Sequence, residues 1–402
     1  MTWTTTRLDR VATVNARIGW KALTASEYQR HGYVFLSTPN IKSESIDFED
    51  VNYISEHRYE ESPELKIQPG DVLLAKDGNT LGITNIVREL PRPATVNGSI
   101  AVLRAFDVEP RFLRYSLASS IIQDLIESIK GGMGVPHLFQ WDIKRLPITL
   151  PPIDEQRRVA DFLDVETARI EQLMSGQLRV LDLLEERANS RILDLIGQSI
   201  LVKRDGAAIV PMRRVIKKLN RPIIPTNEII TAFRDGQVTS RRIRRSEGYT
   251  LAANAEPQGQ GLEVGDIVVH GLDGFAGAIG DSEASGNCSP VYHVCIPIDG
   301  GNPTFYGRLL RLLALSDYLA LFGASARERA VDFRNWKIFG GAPVPQVEPA
   351  VQHEIGDMIT KIRPLREEVK RFNERLAERR QALITAAVTG QIDVTTAGGV
   401  AV

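Results

Sequence analysis

The stretch LPPIDEQRRVADFLD (Leu150–Asp164) joins the end of one element to the start of another. Its two prolines close what precedes them, and charged residues carrying an apolar stripe open a helix. A weaker relative, APVPQVEPAVQHEIGDMI (Ala342–Ile359), follows about 196 residues later. A junction written twice raises the question of what else the chain repeats.

Working outward from the two junctions, the repeat extends through both halves. RLDRVATVNAR (7–17) sets against MRRVIKKLNR (212–221). LKIQPGDVLLAKDG (65–78) sets against GLEVGDIVVHGLDG (261–274), with Gly70 facing Gly265 and Asp71 facing Asp266. VNGSIAVLR (96–104) faces GNCSPVYHVC (286–295), and RFLRYSLAS (111–119) faces TFYGRLLRLLALS (304–316). Beyond the junctions, LLEERANSRILDLIGQ (183–198) faces RLAERRQALITAAVTGQ (375–391). Matching segments in the same order mark an internal duplication.

Each half therefore reads as a mixed globular part followed by a long helix. The expected division is a globular domain over 1–150, a central spacer helix over 151–198, a second globular domain over 199–345, a second spacer helix over 346–392 and a flexible tail over 393–402. Short β-branched runs alternate with Gly, Pro and Asn turns in the globular parts, so the expected class is α+β. DVLLAK and DIVVHG read as buried strands, each entered through a Gly-Asp turn.

In the second long helix, steps of 4 and 3 from Val351 visit Ile355, Met358, Ile362, Leu365, Val369, Phe372, Leu376, Arg379 and Leu383. That is a coiled-coil seam with a single charged member. Pro364 lies inside it and should kink or split the helix. The first helix carries Val159, Leu163, Ile170, Leu173, Leu181, Leu184, Ile192 and Leu195, in a drifting phase. Gln156 to Glu186 spans 30 residues, whereas Gln352 to Glu378 spans 26, a difference the size of a stutter. No partner within either helix's own globular part calls for such a stripe, so the two stripes are expected to meet each other, antiparallel. A helix of about 40 residues spans roughly 60 Å and serves as a strut.

The bulk numbers limit the function classes. The 402 residues suit two or more units, and 43% hydrophobic with 25% charged residues is a soluble globular composition. With 49 basic and 50 acidic residues the net charge is −1, which excludes a uniformly basic coat but not local basic patches. Cys288 and Cys295 have neither CxxC spacing nor a histidine cluster, so neither a metal site nor a disulfide framework is expected. No signal core or long apolar span is legible, and a cytoplasmic location follows as the expectation, with no membrane partner.

Catalytic signatures fail in turn. No GxxxxGK[ST] loop occurs. Asp71 and Lys76 in GDVLLAK hint at a metal-dependent nuclease, yet the other copy keeps only Asp266. NPTF (302–305) resembles the Asn-Pro-x-aromatic motif of amino-group methyltransferases, but its counterpart is EPRF (109–112). A helix-opening proline explains both copies. The six histidines show no ligand spacing, and no catalytic residue is assigned.

Binding chemistry is better represented. SRRIRRSEGY (240–249) gathers Arg241, Arg242, Arg244 and Arg245. SIKGGMGVPHLFQW (128–141) is a glycine-loosened loop with Lys130 and His137, and it faces ASARERAVDFRNW (324–336) with Arg327 and Arg329. Arginine forks suit phosphates and guanine edges, and glycines let a backbone approach a groove. Lys76 and Asn79 join these as candidate DNA contacts. Matching loops on two modules held at a fixed separation suit two DNA half-sites.

At this point the chain resembles the specificity subunits of type I restriction-modification systems. The resemblance rests on the two helix junctions, on ITAFRDGQVTSR (230–241) and on the closing ERRQALITAAVTGQID, and it runs from about Arg7 to Val394. The second junction departs from it, with VPQVEPAVQHEI in place of PPxxEQ. The resemblance implies two target-recognition domains in pseudo-two-fold repeat, each reading half of a bipartite site in double-stranded DNA. The helices would set the gap and dock methyltransferase subunits, two in number, with Val159, Leu163, Ile170, Leu184, Ile355, Ile362, Val369 and Leu376 along them. A restriction and translocase subunit would join for cleavage. S-adenosylmethionine, ATP and Mg would sit on those partners, and this chain would bind no cofactor or metal and catalyse nothing. A net charge of −1 predicts weak, salt-sensitive DNA binding by the chain alone. Two rival readings remain, a coiled-coil scaffold that reads no DNA and a single-chain DNA methyltransferase.

Overall fold

The computed structural model describes residues 3–16, 23–42, 45–131, 134–197, 207–226, 228–244, 259–298, 300–323, 326–327 and 330–394. The chain divides into two compact units, Met1–Ser175 with Phe372–Val402, and Gly176–Arg371. Each unit thus holds one globular part together with one end of each of two long helices, Ile153–Ile196 and Pro349–Val388. The class is mixed α and β, as the sequence indicates.

The duplication is explicit in the sheets. The first unit orders four antiparallel strands as Ala12–Asn15, Ile100–Ala105, Val72–Ala75 and Thr84–Ile86. The second repeats the order with Ile216–Lys218, Tyr292–Pro297, Ile267–His270 and Ile279–Asp281. Register agrees as well: Val72 faces Leu103 and Ile86, and Ile267 faces Cys295 and Asp281. Central strands buried on both faces explain the continuous apolar runs VLLA and IVV. Each enters from a glycine in the left-handed region, Gly70 at φ 91° and Gly265 at φ 86°, where a Cβ would be strained. The next residue, Asp71 or Asp266, is buried; it accepts from Gln68 N or Glu263 N and pairs with Arg104 or Arg221 at 2.8 and 2.9 Å. These aspartates hold the turn, as the simpler sequence reading has it.

The proline-opened helices also repeat. Pro110 starts Pro110–Ala118 under a Glu109 cap, and Pro303 starts Pro303–Leu315 under an Asn302 cap. Each cap side chain accepts from the backbone N–H of a fully buried phenylalanine, Phe112 or Phe305. A capping proline explains NPTF without catalysis.

The repeated junction has a physical cause in one glutamine. Gln156, buried, accepts from Glu109 N at 2.9 Å and donates to Pro151 O at 2.8 Å. Gln352, equally buried, accepts from Asn302 N at 2.9 Å and donates to Val347 O and to Tyr306 Oη. Each glutamine ties helix start, incoming strand and domain helix together. The second junction could lose most of its motif while it kept this residue.

Charged contacts fasten the helix starts, with opposite polarity in the two units. In the first, Asp164 on the helix receives Arg88 at 2.6 Å, Arg111 at 3.0 Å and Tyr115 Oη at 2.8 Å. In the second, Arg363 on the helix reaches Asp281 and, at 3.4 Å, Glu283. Strand register equates Ile86 with Asp281, so two residues on Arg88 corresponds to Glu283. Burial opposes the charge on Asp164; hydrogen bonds from Arg88, Tyr115 and Arg111 outweigh it and hold the carboxyl below its usual range.

One expectation for the helices is corrected and another is narrowed. First, both do have partners in the globular parts. Val159, Leu163, Ile384, Ala387 and Val388 share the first unit's core with Phe112 and Leu103. Ala188, Ile192, Ile355 and Ile359 share the second unit's core with Phe305 and Leu309. Burying an aliphatic side chain is worth about 2 kcal/mol, and this accounts for the stripes at the helix ends. Among the other spacer candidates, Ile170, Ile362 and Leu376 are buried and Leu184 and Val369 half-buried, whereas Leu173, Leu365 and Phe372 stay exposed. The helices also touch each other within each unit, through Arg380 to Glu171 at 3.0 Å in the first and Arg191 to Glu354 at 2.9 Å in the second. They run antiparallel there, since each unit holds the start of one and the end of the other. Second, of the kink or split expected at Pro364, the split does not occur, since the helix continues from Pro349 to Val388. The core contacts of Ile355, Ile359 and Ile362 upstream outweigh the missing N–H.

Candidate nucleic-acid interface

In the first unit the buried strand Val72–Ala75 ends at Lys76, and the chain turns through Gly78–Thr80. The loop that precedes the short helix Gln140–Lys144 docks on this turn. Gly78 N donates to Pro136 O and Leu138 N to Lys76 O, while Gly131 and His137 exchange backbone bonds at 2.8 and 2.9 Å. These bonds bring Lys76, Asn79, Lys130 and His137 onto neighbouring loops. Their charges are largely engaged. Asp77 holds Lys76 at 2.9 Å and bonds His137 Nδ1 in a short contact, and Glu127 holds Lys130. Asn79 is exposed. A ligand here would meet paired cations that must exchange a carboxylate for a phosphate.

Sequence reasoning missed the aromatic members of this loop. Phe139 and Trp141 are 45% and 55% exposed, and their rings stack at 6.0 Å and 17°. His137 meets Phe139 edge-on at 4.6 Å, and the Arg145 guanidinium lies 5.3 Å from the Trp141 ring. Large rings left in water beside cations are a stacking surface for bases or sugars. The signal was HLFQW itself, where aromatic residues alternate at the mouth of a glycine loop.

The second unit distributes its candidates over separate elements. Arg241–Arg244 form one helical turn after the hairpin Ile230–Ala232 and Val238–Ser240. Arg241 Nε donates to Thr231 Oγ1 at 3.2 Å, Arg242 pairs with Glu228 at 2.8 Å, and Arg244 clasps Asp235 while lying 4.2 Å from the Phe233 ring. Burial works against the Asp235 charge, yet Arg244 and the Gln237 N–H keep it below the usual carboxylate range. Arg327 belongs to the hairpin Ala326–Arg327 with Ala330–Val331. Arg245 and Arg329 lie outside the described residues. The segment after this hairpin docks through Phe333 N to Gly271 O at 2.8 Å, the counterpart of Leu138 N to Lys76 O. This docking bond is therefore duplicated although the residues of the two loops differ.

Among the described residues no group of His, Cys, Asp and Glu could hold a metal ion, and no helix is long and apolar enough to cross a membrane. Burial pushes the Cys288 thiol up to about 12 and Cys295 higher still. Neither is a nucleophile at neutral pH.

Comparison with known proteins agrees with this architecture. Residues 1–181 match the family described as the type I restriction modification DNA specificity domain. The specificity subunit of the type I restriction enzyme EcoKI from Escherichia coli K12 is 21% identical over 238 residues, 58% of this chain and 49% of that protein. The MjaVIII specificity subunit of Methanocaldococcus jannaschii is 21% identical over 194 residues, 45% of each chain. These matches span about half the length of either relative. A chain from a structure titled for complex assembly and conformational transition of the type I R-M system shares the fold across 97% of this chain and 98% of its own, at TM-score 0.63 and 15% identity. Residues 1–181 are thus similar to the type I restriction modification DNA specificity domain, and the chain as a whole has the fold of a chain from a type I R-M system.

Proposed function

We propose that this chain reads a bipartite sequence in double-stranded DNA, one half with each globular part, and itself carries out no chemistry. The observation that carries the proposal is the repeated docked loop. Leu138 N on Lys76 O and Phe333 N on Gly271 O place equivalent loops on two equivalent sheets. A family DNA specificity domain covers the first of them. Lys76, Asn79, Lys130, His137, Arg241, Arg242, Arg244, Arg245, Arg327 and Arg329 are the candidate DNA contacts. The long helices set the unspecific gap and dock two methyltransferase subunits, which bind S-adenosylmethionine and modify adenine. A restriction and translocase subunit adds ATP- and Mg-dependent cleavage. The complex works in the cytoplasm.

Mapping methylated adenine in the genome of the source cell, with and without this gene, tests the proposal. A two-part motif with a fixed unspecific gap should vanish on deletion. A methylation pattern that is unchanged, or that is ungapped, would refute it.

A further inference from the structure

The segment MRRVIKKLN (212–220) concentrates four cations on the edge of the second unit's sheet. Arg213, Arg214, Lys217 and Lys218 are all exposed, and none has an ion pair or side-chain hydrogen bond among the described residues. Most other arginines discussed above hold a carboxylate, so this patch stands apart in a chain of net charge −1. Arg213, Lys217, Lys218 and Asn220 line an open groove of about 410 Å³ floored by Trp336, with no carboxylate in its wall. On its inner side Trp336 packs on His293 at 5.2 Å and Phe339 at 6.2 Å, which fixes the floor.

Edge-strand lysines often only discourage pairing with another sheet. The first unit tests that explanation, because its equivalent edge strand does without them. Register equates Val14 with Lys218 and Thr13 with Lys217, since Val14 faces Leu103 and Lys218 faces Cys295. In the turns before these strands, Asp9 stands where the second unit has Arg213, and it is held by Arg7. The first unit's edge strand thus carries no cation, its Val14 O being capped instead by Gln140 Nε2 at 2.6 Å, and of the four cations only Arg214 has a counterpart there, Arg10. Repulsion among four exposed cations is a cost that a bound polyanion removes.

We infer that this groove is a phosphate-backbone contact for duplex DNA, absent from the first unit, so that the second unit carries the larger share of sequence-independent, salt-dependent affinity. The inference rests on the DNA-reading function proposed above and assigns a surface to it outside the loop candidates. Arg213, Lys217 and Lys218 would take phosphates, and Trp336 would supply an apolar floor against the sugar edge.

The test is duplex binding by the full chain as a function of salt, for wild type and for Arg213→Gln/Lys217→Gln/Lys218→Gln. The slope of log affinity against log salt should fall by roughly two to three for the variant, at about 0.9 per phosphate contact. It should fall equally for duplexes of any sequence, and duplex should slow acetylation of Lys217 and Lys218 in the wild type. An unchanged slope in a variant whose thermal midpoint matches the wild type overturns the inference and leaves the proposed function standing. A variant that keeps the slope but loses assembly with other subunits also overturns it, and makes the groove a protein contact. A wild-type chain with no salt-dependent duplex affinity overturns both.

Discussion

His293 shows how a single buried side chain makes the second unit sensitive to acid. It is 2% exposed, packed against Trp336 and Phe339, with Nε2–H donated to Phe333 O at 2.7 Å. That bond leaves Nδ1 as the bare nitrogen, and it is buried without an acceptor for a proton. Burial lowers its pKa to about 4, with the Phe333 bond opposing and Lys218 adding to the shift. A folded-state pKa below the unfolded value means the stabilisation is complete above about 6.5 and lost as pH falls towards 4. The loss should be about 3 kcal/mol. Proton NMR should find His293 neutral at pH 5.5, and hydrogen exchange should show the second unit loosening between pH 6.5 and 4 while His293→Gln flattens that dependence. A His293 that titrates near 6.5 would contradict this burial. In the first unit, Asp164→Asn removes the charge that Arg88, Arg111 and Tyr115 share. It should cost about 1–3 kcal/mol, read as a lower thermal midpoint, with little loss if the arginines find water instead.

At the level of elements, what the sequence revealed and what it hid separate cleanly by physical cause. Gly70, Gly265, Pro110 and Pro303 were legible because backbone geometry leaves few residue choices at a left-handed turn or a helix start. The apolar runs VLLA and IVV were legible for the same kind of reason. The destination of the helix stripes was not. Ile355 and Leu383 obey a heptad spacing, yet each packs into a domain core, and periodicity names a face without naming its partner. Ion pairing was equally hidden, since Lys76 and Asp77 are neighbours in sequence but His137 arrives from 60 residues away. Pro364 gives an element-scale prediction. It is exposed, inside a continuous helix, and denies Thr360 O its usual donor. Pro364→Ala should raise stability by up to about 3 kcal/mol, visible as a higher thermal midpoint of the full chain. No gain would mean the helix is already distorted to compensate.

On the proposed function, the whole molecule poses the question of what sets the interval between the two half-sequences. Both long helices are common to the two units, at 44 and 40 residues, and the difference of four matches the stutter in the sequence. The helix ends are fixed in the cores by Val159, Leu163, Ile355 and Ile384, and by Gln156 and Gln352 at the junctions. Near Ser175 and Gly176, by contrast, the first helix carries no fully buried side chain: Leu173 and Leu178 are exposed, and Met174 and Gln177 half-buried. Length can therefore change there without disturbing either core. Removing four residues around Ser175–Gly176 shortens the helix by about 6 Å and turns its far end by about 40°. B-DNA rises 3.4 Å per base step, so a shortening of this size corresponds to roughly two base pairs of gap. Methylation mapping in cells that carry the deleted form should recover both half-sequences unchanged with a different interval between them. The same interval would mean that spacing is set outside the helices, and loss of both half-sequences would mean that each globular part depends on the other end of its helix.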